Sequence, residues 1–173
     1  MQISSVFKAA ALAVALPAAA SAFVVEVDAM DNSVRTGNGA FVANVNIGDF
    51  VAINVDPNDL WSAGTAARWH SNAGGVSDGT TRNFNGQTFV VGTLVAQIGA
   101  GDFFEIGTTE SFIVNMAGVL SLFEWDGPDV ADNSGSIFAE VTYNPVAAVP
   151  LPASLGFLAA GIAGLGLVRR KKA

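Results

Sequence analysis

The densest chemistry in this 173-residue chain lies between Glu124 and Ser136. That segment reads Glu124-Trp125-Asp126-Gly127-Pro128-Asp129-Val130-Ala131-Asp132-Asn133-Ser134-Gly135-Ser136. It holds four carboxylates and an asparagine, and Gly-Pro and Asn-Ser-Gly each impose a turn. Crowded carboxylates hold a cation, face water, or destabilise one another by repulsion. Calcium takes roughly six to eight oxygens from carboxylates, amides and backbone carbonyls. All three kinds are present, but the spacing is not that of an EF-hand: no glycine holds the sixth position and no glutamate closes the loop. On spacing alone, a calcium loop and a solvated acidic turn both stand open.

Other chemistries are thinly supplied. The chain has no cysteine and one histidine. That excludes disulfides, thiolate zinc sites, iron–sulfur clusters, cysteine nucleophiles and multi-histidine metal sites. No G-x-S-x-G occurs. Fifteen carboxylates permit many pairs suited to glycoside hydrolysis, yet none sits beside a signature, and the chain reads as non-catalytic. His70 has no paired nucleophile and reads first as a surface hydrogen-bonder. The Asp56-Pro57-Asn58-Asp59 stretch reads as a turn.

The elements that must position the acidic segment are strands. Val25, Val27 and Ala29 alternate with Glu26 and Asp28; Phe41, Ala43, Val45 and Ile47 alternate with Asn44 and Asn46. Strand-length runs follow at Phe50–Val55, Thr88–Ile98, Phe103–Ile106, Ser111–Asn115, Val119–Trp125 and Ile137–Tyr143. Glycine-rich turns separate them, and no interior segment sustains helical periodicity. About eight short strands of this kind predict an all-β, antiparallel sandwich. Trp61 and Trp125 read as core; Trp69 is the best rim candidate, although a place in the sandwich core is the commoner fate of a tryptophan.

Both ends depart from this pattern. Residues 1–22 run from Lys8 through an apolar stretch to Ala20-Ser21-Ala22, the order of a secretory signal peptide. At the other end, no charge occurs from Val141 to Val168, and Arg169-Arg170-Lys171-Lys172 follows. Val149–Val168 is long enough for ~30 Å of helix, a transmembrane span with its basic end cytoplasmic. A mean hydropathy of +0.45 therefore averages two apolar ends with a polar body. Residues 23–148 carry all fifteen carboxylates against Arg35, Arg68 and Arg82, a formal charge of −12. Such a body is a poor ligand for nucleic acid, and too apolar to be a disordered acidic tail.

Val149-Pro150-Leu151-Pro152-Ala153, the apolar stretch and the basic end with Arg169 and Arg170 resemble the VPLPA-CTERM sorting signal, a relative of PEP-CTERM. That resemblance implies export, membrane anchoring, processing by an exosortase-type protease, and delivery to the surface or matrix of a Gram-negative bacterium. Export machinery and signal peptidase are the other implied partners. The body, from about Val25 to Tyr143, resembles the PA-I-type galactophilic calcium-dependent lectins. Gly92-Thr93-Leu94-Val95-Ala96-Gln97-Ile98-Gly99, Gly118–Phe123, Asp126-x-Pro128 and Asp132–Ser136 carry the resemblance, with Asn46–Asp49 and Trp61–Gly64 upstream. It implies a jelly-roll-like β-sandwich in which calcium bridges the protein and two neighbouring hydroxyls of a galactose-like glycan.

Carried across, Asp126, Asp132 and Asn133 become side-chain ligands, and Ala63 and Val130 backbone-carbonyl ligands. Asp132 stands where the family has asparagine, and the loop is one residue shorter. Trp69 and His70 fall near the sugar rim, while the family's outer sugar-contacting His and Gln have no clear counterpart in Ser71–Gln87. The expected organisation is signal peptide 1–22, lectin-like sandwich 23–143, spacer 144–148 and sorting signal 149–173. A structural matrix protein without a small ligand and a secreted hydrolase are the competing readings. The A-x-A pattern makes one outcome checkable: N-terminal sequencing of the exported protein should begin at Phe23.

Overall fold

The computed structural model describes residues 19–146. The expected signal peptide up to residue 18, and the whole sorting segment 149–173, lie outside the described residues. Among the described residues no helix is long and apolar enough to cross a membrane.

The chain forms β1 (Ser21–Asp28), β2 (Ala40–Val45), β3 (Phe50–Val55), β4 (Trp61–Ser62), β5 (His70–Ser71), β6 (Thr81–Phe84), β7 (Gln87–Val90), β8 (Leu94–Ile98), β9 (Phe104–Glu105), β10 (Thr109–Ile113), β11 (Gly118–Glu124) and β12 (Ser136–Asn144). Eight of these build two four-stranded antiparallel sheets, ordered β1-β12-β3-β10 and β2-β11-β8-β9. The remaining four make two small hairpins, β4–β5 and β6–β7. The architecture is sandwich-like, as the strand periodicity predicts.

Alternation explains the core. Along β12, Ile137, Ala139 and Val141 turn inward while Phe138, Glu140 and Thr142 face solvent. Val27, Val51 and Ile53 join them and meet Leu94, Ala96, Leu120 and Leu122 from the second sheet. Strand β11 has no polar face at its end, because Phe123 and Trp125 pack outward into a second cluster with Val34, Val95 and Phe103. A strand covered on both sides loses its alternation, which is why the Leu120-Ser121-Leu122 pattern breaks at Phe123.

Two expectations about strands are corrected. The Phe41/Ala43/Val45/Ile47 face is only half buried: Ala43 and Val45 pack on the core, but Phe41 is 58% exposed and Ile47 69%, and Ala40 and Val42 turn inward instead of Phe41. The register between β11 and β2 slips between Leu120 and Ser121, so Val42 is the extra residue of a bulge and the inward phase changes there. The run Thr88–Ile98 is also two strands. Gly92 donates to the Trp125 carbonyl (2.7 Å) and Trp125 donates to Thr93 (2.9 Å), which pulls residues 91–93 out of line.

The expected spacer begins inside the sandwich. Asn144 still pairs with Phe50, and the Val146 amide donates to Asp49 Oδ1 at 2.7 Å. Asp49 Oδ2 accepts from the Tyr143 hydroxyl (2.6 Å) and the Asn46 amide (2.8 Å). Burial raises the Asp49 pKa, but these bonds outweigh it and hold the carboxyl below its ordinary value. Stability from a carboxyl held this way is present above the ordinary carboxylate pKa and is lost as pH falls through the depressed one. Tyr143→Phe should therefore cost ~1.5 kcal/mol in denaturant unfolding at pH 7. The gap to the parent protein should close on acidification below the Asp49 pKa; a gap independent of pH would contradict this.

Candidate functional site

The acidic segment leaves the sandwich at the end of β11. Trp125 fixes its exit: the indole donates to the Arg82 carbonyl (3.0 Å), and the ring packs edge-on against Phe84, Phe89 and Phe103. Asp126 follows immediately. The far end of the segment is tied to β4, where Ser62 and Ser134 exchange backbone bonds of 2.8 and 2.9 Å. Asp132 and Asn133 are thereby drawn beside Ala63.

Asn133 is 2% exposed and spends both amide hydrogens behind the site, on the Ala29 carbonyl (3.0 Å) and on Glu124 Oε2 (2.7 Å). Its Oδ1 is left without a partner. Asp126 is 4% exposed, and its Oδ2 is likewise buried and unpartnered. Burial raises the Asp126 pKa; the Gly127 amide and Asn133 offset part of this, Asp132 adds repulsion, and Arg35 opposes it. Leaving a buried acceptor unsatisfied costs about 1–3 kcal/mol, more for a charged group. Glu124 Oε1, behind Asn133, is a third such oxygen; the two on Asp126 and Asn133 mark a place built for something that accepts oxygen ligands.

Asp126 opens onto a cavity of about 140 Å³, whose walls include Ala63, Trp69, Arg82, Asp129 and Asp132. Gly64 permits its narrow side: a Cβ there would stand 2.7 Å from Trp69 Cδ1 and 3.2 Å from Asp132 Oδ2. Any side chain at Gly64 would push the ring and the carboxylate apart.

Four residues singled out from sequence thus line one cavity: Ala63, Trp69, Asp126 and Asp132, with Asn133 buried behind. Val130 is not among the lining residues; its carbonyl accepts from the Asn133 amide at 3.3 Å. His70 is exposed, pairs through its backbone with Ser62, and does not line the cavity either. Trp61 and Trp125 are buried, as expected of core residues. Among the described residues no three His, Cys, Asp or Glu side chains gather as a metal cage. A cation here would need Asn133, backbone carbonyls and outside oxygens beside its two aspartates, which suits calcium and no softer metal.

Two residues at the candidate site escaped the sequence reading. Glu124 shares the inward face of β11 with Leu120 and Leu122, and that two-residue spacing was the available signal. Arg82 is carried by the β6–β7 hairpin, whose Asn85-Gly86 turn has φ of 51° and 82°. An Asn-Gly pair with both φ positive is the two-residue hairpin signature.

No family model matches the chain, and no curated protein matches it. Among solved structures, the chain is similar to one described as "EclA N-terminal domain; PllA-like lectin". The two share 22% identity over 71% of this chain and 95% of that one, with a TM-score of 0.49.

Burial raises the Glu124 pKa well above the ordinary carboxylate value, and repulsion from Asp126 and Asp28 adds to it. The side chain is fully buried and serves as the acceptor that turns Asn133. Glu124→Ala should cost ~3 kcal/mol in denaturant unfolding, from the cavity and the orphaned amide together. Glu124→Gln keeps an acceptor and the volume, and should recover more than half of that loss. Equal losses in both variants would show that the contact with Asn133 is not what Glu124 supplies.

Proposed function

We propose that this protein is a calcium-dependent carbohydrate-binding protein. The observation that carries the reading is the pair of buried, unpartnered oxygens, Asp126 Oδ2 and Asn133 Oδ1, beside a cavity with an aromatic wall. Asp126, Asp132 and Asn133 would hold the ion, with the Ala63 carbonyl close by; Val130 would have to turn its carbonyl away from Asn133 to join them. Calcium, when bound, supplies a hard centre with room for further oxygens, which vicinal sugar hydroxyls provide.

The chain's own residues prepare that role. Trp125 and the Ser62–Ser134 bridge fix the two ends of the segment, so the ligand oxygens are placed before any ligand arrives. Asn133 cannot rotate without losing two hydrogen bonds. The half-buried Trp69 offers an apolar wall for the C–H face of a sugar ring. Export and display through the VPLPA-type tail belong to the same proposal and rest on sequence.

Calcium at a hundredfold excess over its Kd should stabilise the full chain by ~2.7 kcal/mol, raising Tm by roughly 5–10 °C. Asp126→Asn should abolish that response while leaving the calcium-free protein as stable as the parent, or about 1 kcal/mol more so. Glycan-array binding should disappear with chelator. A calcium-free protein clearly weakened by Asp126→Asn, or no response to millimolar calcium, would sink the reading.

A further inference from the structure

Residues 23–148 contain only three cations, and all three gather at one end of the sandwich. The Arg35 guanidinium lies 4.5 Å over Phe84 and donates to the Asn83 carbonyl at 3.3 Å. The Arg68 guanidinium lies 4.0 Å over the Trp69 ring, and that of Arg82 lies 5.7 Å from the same ring. Arg82 lines the cavity beside Asp126, its Nε 3.5 Å from where a Cβ on Gly127 would stand. The backbone carbonyl of Arg82 is pinned by Trp125, so the hairpin that carries it is fixed to the strand that carries Asp126. In a body with fifteen carboxylates spread along its length, chance would scatter three arginines.

The charge of this end depends on its metal. Asp126, Asp129 and Asp132 line the cavity with Arg82, Arg35 acts on Asp126, and Arg68 lies over Trp69 near Asp78: four aspartates against three arginines, a formal net of −1. One divalent cation turns it to +1. The hydroxyls of a neutral sugar accept hydrogen bonds from a guanidinium but do not use its charge. A carboxylate does: Arg presents a planar fork that meets it with two parallel hydrogen bonds.

The geometry points to an acidic saccharide, a uronic acid whose carboxylate meets Arg82 while its hydroxyls face Asp126 and Asp132, as the ligand of this cavity. The inference rests on the calcium-dependent reading above and adds the ligand's charge and the specificity-determining residue. Arg68, stacked on Trp69, keeps a second positive group at the rim. Without calcium the three aspartates should repel the same ligand, so metal and acid bind together.

The test is calorimetry on the full chain in saturating calcium, with D-galacturonate, D-glucuronate and their neutral methyl esters as probes. At least one acid should bind about tenfold tighter than its ester, the scale of one charge-assisted hydrogen bond. In the parent protein that ratio should shrink as sodium chloride rises, which needs no variant and no assumption about folding. In Arg82→Gln, checked for its calcium-induced Tm rise, the acid-to-ester ratio should fall towards one. Esters that bind as tightly as acids would overturn this inference and leave the carbohydrate reading standing. An acid preference that survives Arg82→Gln would overturn the role of Arg82. A protein that calcium stabilises but that takes neither acids nor esters would overturn the inference and, if a wider glycan array also fails, the carbohydrate reading with it.

Discussion

The contact between Glu124 and Asn133, 2.7 Å long and fully buried, joins the sandwich to its site. Glu124 closes β11 on the face that carries Leu120 and Leu122, so its place is set by the packing of two sheets. Asn133 belongs to the loop and takes its orientation from that carboxyl and from Ala29 at the end of β1. Three consecutive side chains, Glu124, Trp125 and Asp126, are buried on alternate faces, which strand β11 can do only because a second aromatic cluster covers its outer side. The sheet, the outer cluster and the loop therefore cannot be repacked separately.

This arrangement concentrates unfavourable electrostatics in one place. Glu124 lies near Asp126, Asp28 and Asp132, and each of them raises the free energy of its charged form. The packing asks for an acceptor at Glu124 but not for an acid: a glutamine there, and an asparagine at Asp126, would fill the same space at lower electrostatic cost. Instability held at one spot in an otherwise well-packed domain is the pattern of a site shaped for binding rather than for folding. The same economy governs Gly64, which leaves a gap in the wall so that Trp69 and Asp132 can approach.

Much of the sandwich was legible because its strands obey local rules. Ile137, Ala139 and Val141 alternate cleanly, and β12 is found within one residue at each end. What escaped depended on long-range contacts. Strands β4 and β5 have two residues each, too few for any period to show; they pair with each other, and Ser62 meets Ser134 across 72 positions of chain. The phase at the start of β2 was missed, with Phe41 expected inward in place of Ala40 and Val42, because a bulge opposite Leu120 and Ser121 leaves no trace in the apolar pattern. Within the site, the aspartates stood out by their density, and Trp69 by its place after a Gly-containing turn. Glu124 was counted among the loop acids because a carboxylate at a core position looks, in one dimension, like the start of the acidic segment. Arg82 was invisible because nothing in its neighbours says that a hairpin folds back onto Asp126.

The two chain exits lie together at the end of the sandwich opposite the site. Ser21 of β1 pairs with Tyr143 of β12, while Asp28 pairs with Ser136, and Ala29 accepts from Asn133 beyond them. Force has different effects along these directions. Tension between the two exits peels β1 from β12 one hydrogen bond at a time, the weakest way to load a ladder. Tension between the Asn133 loop and the C-terminal exit instead runs along the length of β12. That strand is bonded to β1 on one side and β3 on the other, and its bonds lie across the pull, so both ladders share the load at once. The domain is built like a link in a chain: easily unzipped from its ends, but strong along β12.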